Sequence, residues 1–313
     1  MFMLDVVMLE TSFIELINNL WGHLFDPNKR LFVGYLLTTL ILALYVWFRS
    51  GIKLPWFRYI FSRNIWLHKS AKLDYLIWLI NAAIKTFLIV PLLFSAASIA
   101  IKISFTLEGW FGEIPPVMLN HTYVAIAFTI MLFLLDDLSR FLLHFLMHKI
   151  PLLWGIHQVH HSAEVMTPFT VYRVHPIESA LYAMRLVLSQ GISLGIAFYL
   201  FGHRLDVIDV LGANLFVLLF NGFGANLRHS HVWLAWWKPL EKWFISPAQH
   251  QIHHSVDSAH YDKNFGSALA IWDRLFGTLV LSNDINKKLK FGLNAGKHKS
   301  LFKLYFKPML YKK

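Results

Sequence analysis

The chain has 313 residues, 56% hydrophobic and only 15% charged, where soluble domains carry about 25% charged residues. Its net charge of +11 comes without a nucleic-acid-binding motif. The charge is therefore read as loop charge facing anionic lipid, and nucleic acid is excluded as a partner. Cysteine is absent, which excludes disulfides, thiolate catalysis and cysteine-bound metal.

The opening stretch, MFMLDVVMLETSFIELI, carries Asp5, Glu10 and Glu15 where a signal peptide has a basic start, so it reads as a short amphipathic or surface segment. Five apolar segments follow, at 31–48, 75–100, 119–143, 179–201 and 207–223, each near the ~20 residues that cross a bilayer as helix. The last two contain Arg185, Gln190, Asp209 and Asn214 and are joined by a short GHRLD link. They read as a spanning pair or as a hairpin dipping into one leaflet.

Loop charge sets the expected orientation. Residues 49–72 carry Arg49, Lys53, Arg58, Arg63, Lys69 and Lys72, whereas 103–120 carry Glu108 and Glu113 and no Lys or Arg. The basic loop is placed in the cytoplasm, 103–120 outside, and residue 144 back on the cytoplasmic side. The stretch VWLAWWKPLEKWF at 232–244 interleaves Trp with Lys and reads as an interfacial helix. The lysine-rich tail from 284 fits the cytoplasmic face. The expectation is an all-α integral membrane protein with about 4–5 transmembrane or membrane-dipping helices. A cytoplasmic helical cap would carry a histidine-rich dimetal site. The expected organisation is N-terminal membrane helices over 1–125, a catalytic domain over 126–283 and a basic cytoplasmic tail over 284–313.

Three histidine boxes carry the chemistry. HFLMH supplies His144 and His148; HQVHH supplies His157, His160 and His161; HQIHH supplies His250, His253 and His254. Spacings of three and four gather imidazoles on one helical face, and Pro151 ends the first helix so that the second box can turn beside it. Zinc takes four ligands and iron up to about six, so eight imidazoles imply two ions. HExxH is absent, leaving a zinc-protease reading without its general base. A pair of irons binding dioxygen is the more economical reading, with zinc as a substitute occupant. Asp137, two turns before His144, is read as accepting a proton from a ligand histidine or as pairing with Arg140. Glu164 and Asp257, three residues past the second and third boxes, are read as helix caps, partners of ligand histidines or solvated carboxylates. His23, His68, His121, His203 and His298 belong to no constellation and read as surface or interfacial.

The boxes are preceded by LDD and PLLW, and followed by YRVHPIE, DKNFG and WDRLFGT. With these flanks the segment from Asp136 to Thr278 resembles the fatty acid hydroxylase/sterol desaturase superfamily. The resemblance implies a membrane-embedded non-haem di-iron oxygenase that takes O2 and two electrons and hydroxylates an unactivated C–H bond of a membrane lipid. Lipid or sterol desaturation is the alternative within that family, and a histidine-rich metal-binding or transport protein is the alternative outside it. One departure is Phe145, where members commonly carry Arg. Members usually supply a further ligand between the second and third boxes; here His229 is favoured over His231. His175, in YRVHPIE, is read either as an extra ligand or as a histidine orienting a neighbour. No fused electron carrier is visible, so a separate reductase, ferredoxin or cytochrome is expected. The tail ends LYKK, without a di-lysine retrieval signal, which favours a bacterial inner membrane.

Overall fold

The computed structural model describes residues 14–18, 20–117, 119–202, 215–285, 289–293 and 300–306. Among the described residues there is no β-strand, only two isolated bridges, Phe244 with Leu269 and Ser255 with Phe291. Most of the N-terminal stretch, His203, His298 and the start of the segment predicted at 207–223 lie outside the described residues.

Helix α1 (Val33–Arg49) buries Tyr35, Thr39, Ala43 and Val46. Its other face exposes Leu37, Ile41, Tyr45 and Phe48. A row of large exposed apolar side chains at helical spacing is costly in water and favourable against lipid. The basic loop that follows folds into two short turns, Trp56–Ile60 and Arg63–Trp66. It packs inward through Ile60, which joins a core with Ala43, Leu227, Val232 and Leu234.

Helix α2 (Lys69–Ile84) starts at His68, whose ring accepts the Ser70 amide. The apolar segment predicted at 75–100 is not one straight span. Beyond Ile84 the chain runs through a π turn, Lys85–Ile89, and a 3-10 turn, Val90–Leu92. Pro91 lacks an amide hydrogen and crowds the preceding turn, so the α-helical ladder stops. Ser95 then caps α3 (Ala96–Phe111) by accepting the Ser98 amide. The loop predicted over 103–120 is therefore shorter, because its first nine residues continue α3.

Helix α4 (His121–Lys149) holds the third predicted segment and the first histidine box. It ends two residues before Pro151, which opens α5 (Pro151–His161) in the first-turn position, where its missing amide hydrogen costs nothing. Helix α6 (Pro176–Phe201) follows, then α7 (Leu215–Gly222) and the short α8 (Pro247–His253). The 43-residue stretch Lys69–Phe111 and the 26-residue α6 are long and apolar enough to cross a membrane. The interfacial helix expected over 232–244 is reduced to one turn, Lys238–Glu241. Glu241 is the reason: fully buried, it accepts the Trp236 amide, the Ser246 hydroxyl and the Ser282 amide, which holds the segment as a folded loop. Trp237 and Trp243 remain exposed.

Close packing of α3 on α6 depends on two glycines one turn apart. A methyl group at Gly195 would stand 2.7 Å from the Ala100 carbonyl oxygen and from Ile103 Cβ, and one at Gly191 would stand 2.6 Å from Ile99 Cβ. Small residues at this spacing let membrane helices approach closely. Gly195→Val should destabilise the detergent-solubilised protein by about 1–3 kcal/mol, seen as a lowered melting temperature, because backbone and a β-branched neighbour must both yield. An unchanged melting temperature would refute the close contact.

Candidate metal centre

Four pieces of chain bring histidines together: the end of α4, α5, a 3-10 turn at Ala225–His229, and α8 with its cap His254. Nine imidazoles fall into two groups. His144, His148, His157, His161 and His253 form one; His160, His229, His250 and His254 form the other. Within each group the candidate ligand atoms lie within 4.8 Å of one another, and all nine residues are buried. The boxes divide by a simple rule. The pairs four residues apart, His157 with His161 and His250 with His254, each serve one group, and the third member, His160 or His253, reaches across to the other. A four-residue step returns nearly to the same helical azimuth, whereas a three-residue step falls to one side.

Nitrogen spacing is the observation that bears on a metal. Nε2 of His229 lies 3.2 Å from Nε2 of His160 and 3.1 Å from Nε2 of His250. His250 and His254 approach to 3.2 Å through the same atoms, as do His148 and His161. A metal–nitrogen bond of about 2.0–2.1 Å places neighbouring ligand nitrogens about 2.9–3.4 Å apart, from right-angled to tetrahedral geometry. The donor set therefore fits an ion in each group.

The other ring nitrogen of five of these histidines is anchored, whereas Nδ1 of His250 is buried without a hydrogen-bond partner. His144 Nδ1 donates to the Phe265 carbonyl at 2.8 Å, His253 Nδ1 to the Lys263 carbonyl at 2.7 Å, and His160 Nδ1 to the Arg173 carbonyl at 3.3 Å. His157 Nδ1 lies 2.9 Å from Glu178, and His148 Nδ1 lies 3.4 Å from Asp262. A carbonyl accepts only an N–H, so the proton is held on Nδ1 and the Nε2 lone pair is left for the cluster. Nε2 of both His157 and His253 is buried without a hydrogen-bond partner.

Three of these anchors come from the four residues Asp262–Phe265. Asp262 and Asn264 adopt left-handed φ of 58° and 56°, which Asp and Asn tolerate better than most residues. This backbone lets the Lys263 and Phe265 carbonyls serve different histidines. Asp273 fixes the loop by accepting the Phe265 and Gly266 amides at 2.8 and 2.7 Å. The DKNFG and WDRLFGT flanks thus orient imidazoles of the first and third boxes.

The remaining sequence candidates stand elsewhere. Asp137 does not meet His144; its carboxylate accepts the Ala268 and Leu269 amides and the Trp272 indole at 2.8, 3.0 and 2.9 Å, and so holds the same loop from α4. It is Asp136 that pairs with Arg140, and with Arg185 as well. His231 bonds the Tyr59 carbonyl, and His175 caps α6 while its Nε2 bonds the Tyr305 carbonyl. Asp257 caps a 3-10 turn through the Ala259 amide. The Glu164 amide bonds Ser70. Phe145 stacks among Phe141, Phe265 and Phe276. His23 is buried rather than superficial and contacts the Tyr172 hydroxyl. The sequence reading missed Glu178 and Asp262 as imidazole partners, although YRVHPIE and DKNFG had both been singled out.

Helices that turn apolar faces outward and bury two clustered sets of imidazoles define a helical membrane protein with a histidine-lined, metal-fitting site. Residues 129–278, just under half of the chain, match the fatty acid hydroxylase family, and this segment resembles that superfamily. Alkylglycerol monooxygenase of Danio rerio is 27% identical over 161 residues, 51% of this chain and 32% of the relative. The human alkylglycerol monooxygenase is 26% identical over 171 residues, with the same coverage. The ornithine lipid hydroxylase OlsE of Rhizobium tropici is 32% identical over 143 residues, 45% of this chain and 38% of the relative. The chain thus spans about a third of the length of these relatives. No solved structure matches it.

Burial keeps the imidazoles of α5, the 3-10 turn and α8 neutral. His157, His161, His229, His250, His253 and His254 are held well below the usual value of 6.5, first by burial and then by neighbouring cationic or imidazole groups. His160 falls to about 3 for the same first reason. A histidine with a lowered folded value costs nothing above pH 6.5. Below it the unfolded chain takes up protons that the folded one refuses, so stability is lost as pH falls, for His160 down to about pH 3. Each such group contributes a slope of about 1.4 kcal/mol per pH unit. Chelator-treated protein should melt at one temperature at pH 8 and 7 and at progressively lower ones at pH 6 and 5. A flat profile from 7 to 5 would contradict neutral buried imidazoles.

Proposed function

We propose that the protein is an oxidoreductase that hydroxylates a membrane lipid with O2 at two iron ions held by the two imidazole groups. The single observation that carries this reading is the Nε2 spacing of 3.1–3.2 Å inside the clusters. The relatives named as monooxygenases and hydroxylases of lipids support the reaction type. His144, His148, His157, His161 and His253 would hold one ion and His160, His229, His250 and His254 the other. Bound there, the iron pair would supply activation of O2 toward an unactivated C–H bond.

The chain's own residues supply position and exclusion of water. A cavity of about 400 Å³ is bordered by His144, His157, His160, His229 and His250, so both groups open on one space. Glu178 fixes the His157 ring, and the Asp262–Phe265 loop fixes three others. Electrons would come from a separate reductase, ferredoxin or cytochrome. The basic segment 49–72 packs at the histidine end through Tyr59 and Ile60, which supports a cytoplasmic site, proposed for a bacterial inner membrane. Lysines of the tail from 284 would lie on the same side.

Metal analysis of the purified protein should give about two irons per chain, and cells with and without the gene should differ by a lipid gaining one oxygen atom. His157→Ala and His253→Ala should each lower bound metal and reduce turnover by at least about 100-fold, with helical content unchanged. Loss of two hydrogens instead would assign desaturation. Zinc alone, without O2 uptake, would sink the oxygenase reading.

A further inference from the structure

The cavity beside the imidazoles carries a charge excess that the proposed reaction does not need. Lys29, Arg30, Lys85, Arg140, Arg185 and Arg228 line it, with Glu178 as the lining carboxylate. Asp136, just behind, is taken up by Arg140 and Arg185 at 3.0 and 2.8 Å. Glu178 is turned to His157. Arg30 and Arg228 have no carboxylate at ion-pair distance among the described residues.

These two guanidiniums sit together. Their Cζ atoms lie 5.3 and 4.4 Å from the centroid of the same ring, Phe220. Arg228 is 3% exposed, and its Nη2 donates to the Ile245 carbonyl at 2.9 Å. Its Nε is buried and unpartnered, as is Nη1 of Arg30. Two adjacent, always-protonated groups with spare buried donors are unfavourable unless an anion meets them. The guanidinium fork suits two oxygens of a phosphate or carboxylate. Cation–π contact with Phe220 holds the planes but leaves these donors open.

We propose that this cavity is a receptor for an oxyanion headgroup, phosphate in the first instance, of the lipid substrate, with Arg30 and Arg228 as its principal contacts. The assignment rests on the lipid-oxidising reading given above. Arg228 immediately precedes His229, so a headgroup held there lies next to the second imidazole group. The lipid carbons brought to the site are then those within a few bonds of the head. A volume of about 400 Å³ accommodates a headgroup and the first carbons of a chain, not a whole diacyl lipid.

Calorimetric titration of the full-length protein in detergent tests this, on both chelator-treated and iron-loaded preparations. The probes are dihexanoyl phosphatidic acid, uncharged dihexanoylglycerol and inorganic phosphate. Phosphatidic acid should bind about tenfold or more tighter than either of the others. Arg30→Gln and Arg228→Gln should each remove most of that preference. Arg228 also holds the Ile245 carbonyl, so if its variant does not fold, Arg30→Gln carries the test, since its side chain makes no hydrogen bond among the described residues. Equal binding of the diglyceride, or an undiminished preference in Arg30→Gln, would overturn the proposal. Inorganic phosphate binding as tightly as the lipid would make the site one for free anions and overturn the headgroup assignment. Binding is read without turnover. A protein that selects anionic lipid but oxidises none defeats the hydroxylase reading alone; one that oxidises lipid without charge preference defeats this proposal alone.

Discussion

Everything in this fold is arranged around lone pairs that have nowhere else to go. Imidazole nitrogens meet at 3.1–3.2 Å in both groups, and carbonyl acceptors keep the proton of His144, His160 and His253 on the far ring nitrogen. Neighbouring acceptors that face each other repel, and buried ones without partners cost free energy. An electron-pair acceptor at the centre of each group would turn this crowding into stabilisation. The rest of the chain must then resist it. Arg173 pairs with Asp74 of α2 at 2.7 Å and donates to the Val159 carbonyl at 3.1 Å, which ties α2 to the end of α5. Asp137 ties the 262–272 loop to α4, and Glu241 ties the turn at Ser282 to the cap of α8 at Ser246.

The ligand boxes were legible because helical spacing is local: a four-residue step keeps two imidazoles on one azimuth whatever the rest of the chain does. How the boxes divide was not legible, because it depends on how α5, α8 and the 3-10 turn cross. The anchors were hidden for a different reason. Phe265 and Lys263 contribute backbone carbonyls, which every residue has, so no side-chain letter marks them. Glu178 does have a marking letter, but it acts on His157 across 21 positions and a chain reversal. Asp137 was misjudged since proximity in sequence to His144 suggested contact, whereas three donors from the far side of the domain satisfy it first.

Hydropathy was informative about where lipid lies and silent about where helices break. The window over 75–100 is apolar on average, with only Lys85 charged, yet Pro91 and the π turn before it divide the segment. Conversely, the tryptophans of 232–244 suggested a helix at the interface. Hydrogen bonds from Trp236, Ser246 and Ser282 to one buried glutamate hold most of that segment as a loop. In both cases an average over side-chain polarity lost to a single residue with a specific hydrogen-bonding demand.

Charge follows the same logic at the level of the whole molecule. Large apolar side chains such as Leu92, Phe94, Trp110 and Phe48 face outward, while guanidiniums and imidazoles face one internal cavity. Neutral imidazole ligands would not cancel the charge of two bound ions. The carboxylates nearest the clusters, Glu178 and Asp262, act through a histidine ring rather than on the centre itself. With the proposed ions in place, the cavity wall would therefore be cationic on both its metal side and its arginine side. A low-dielectric surround magnifies that potential, so the energetically complementary guest is one that brings negative charge on its polar end and leaves its hydrocarbon toward the bilayer.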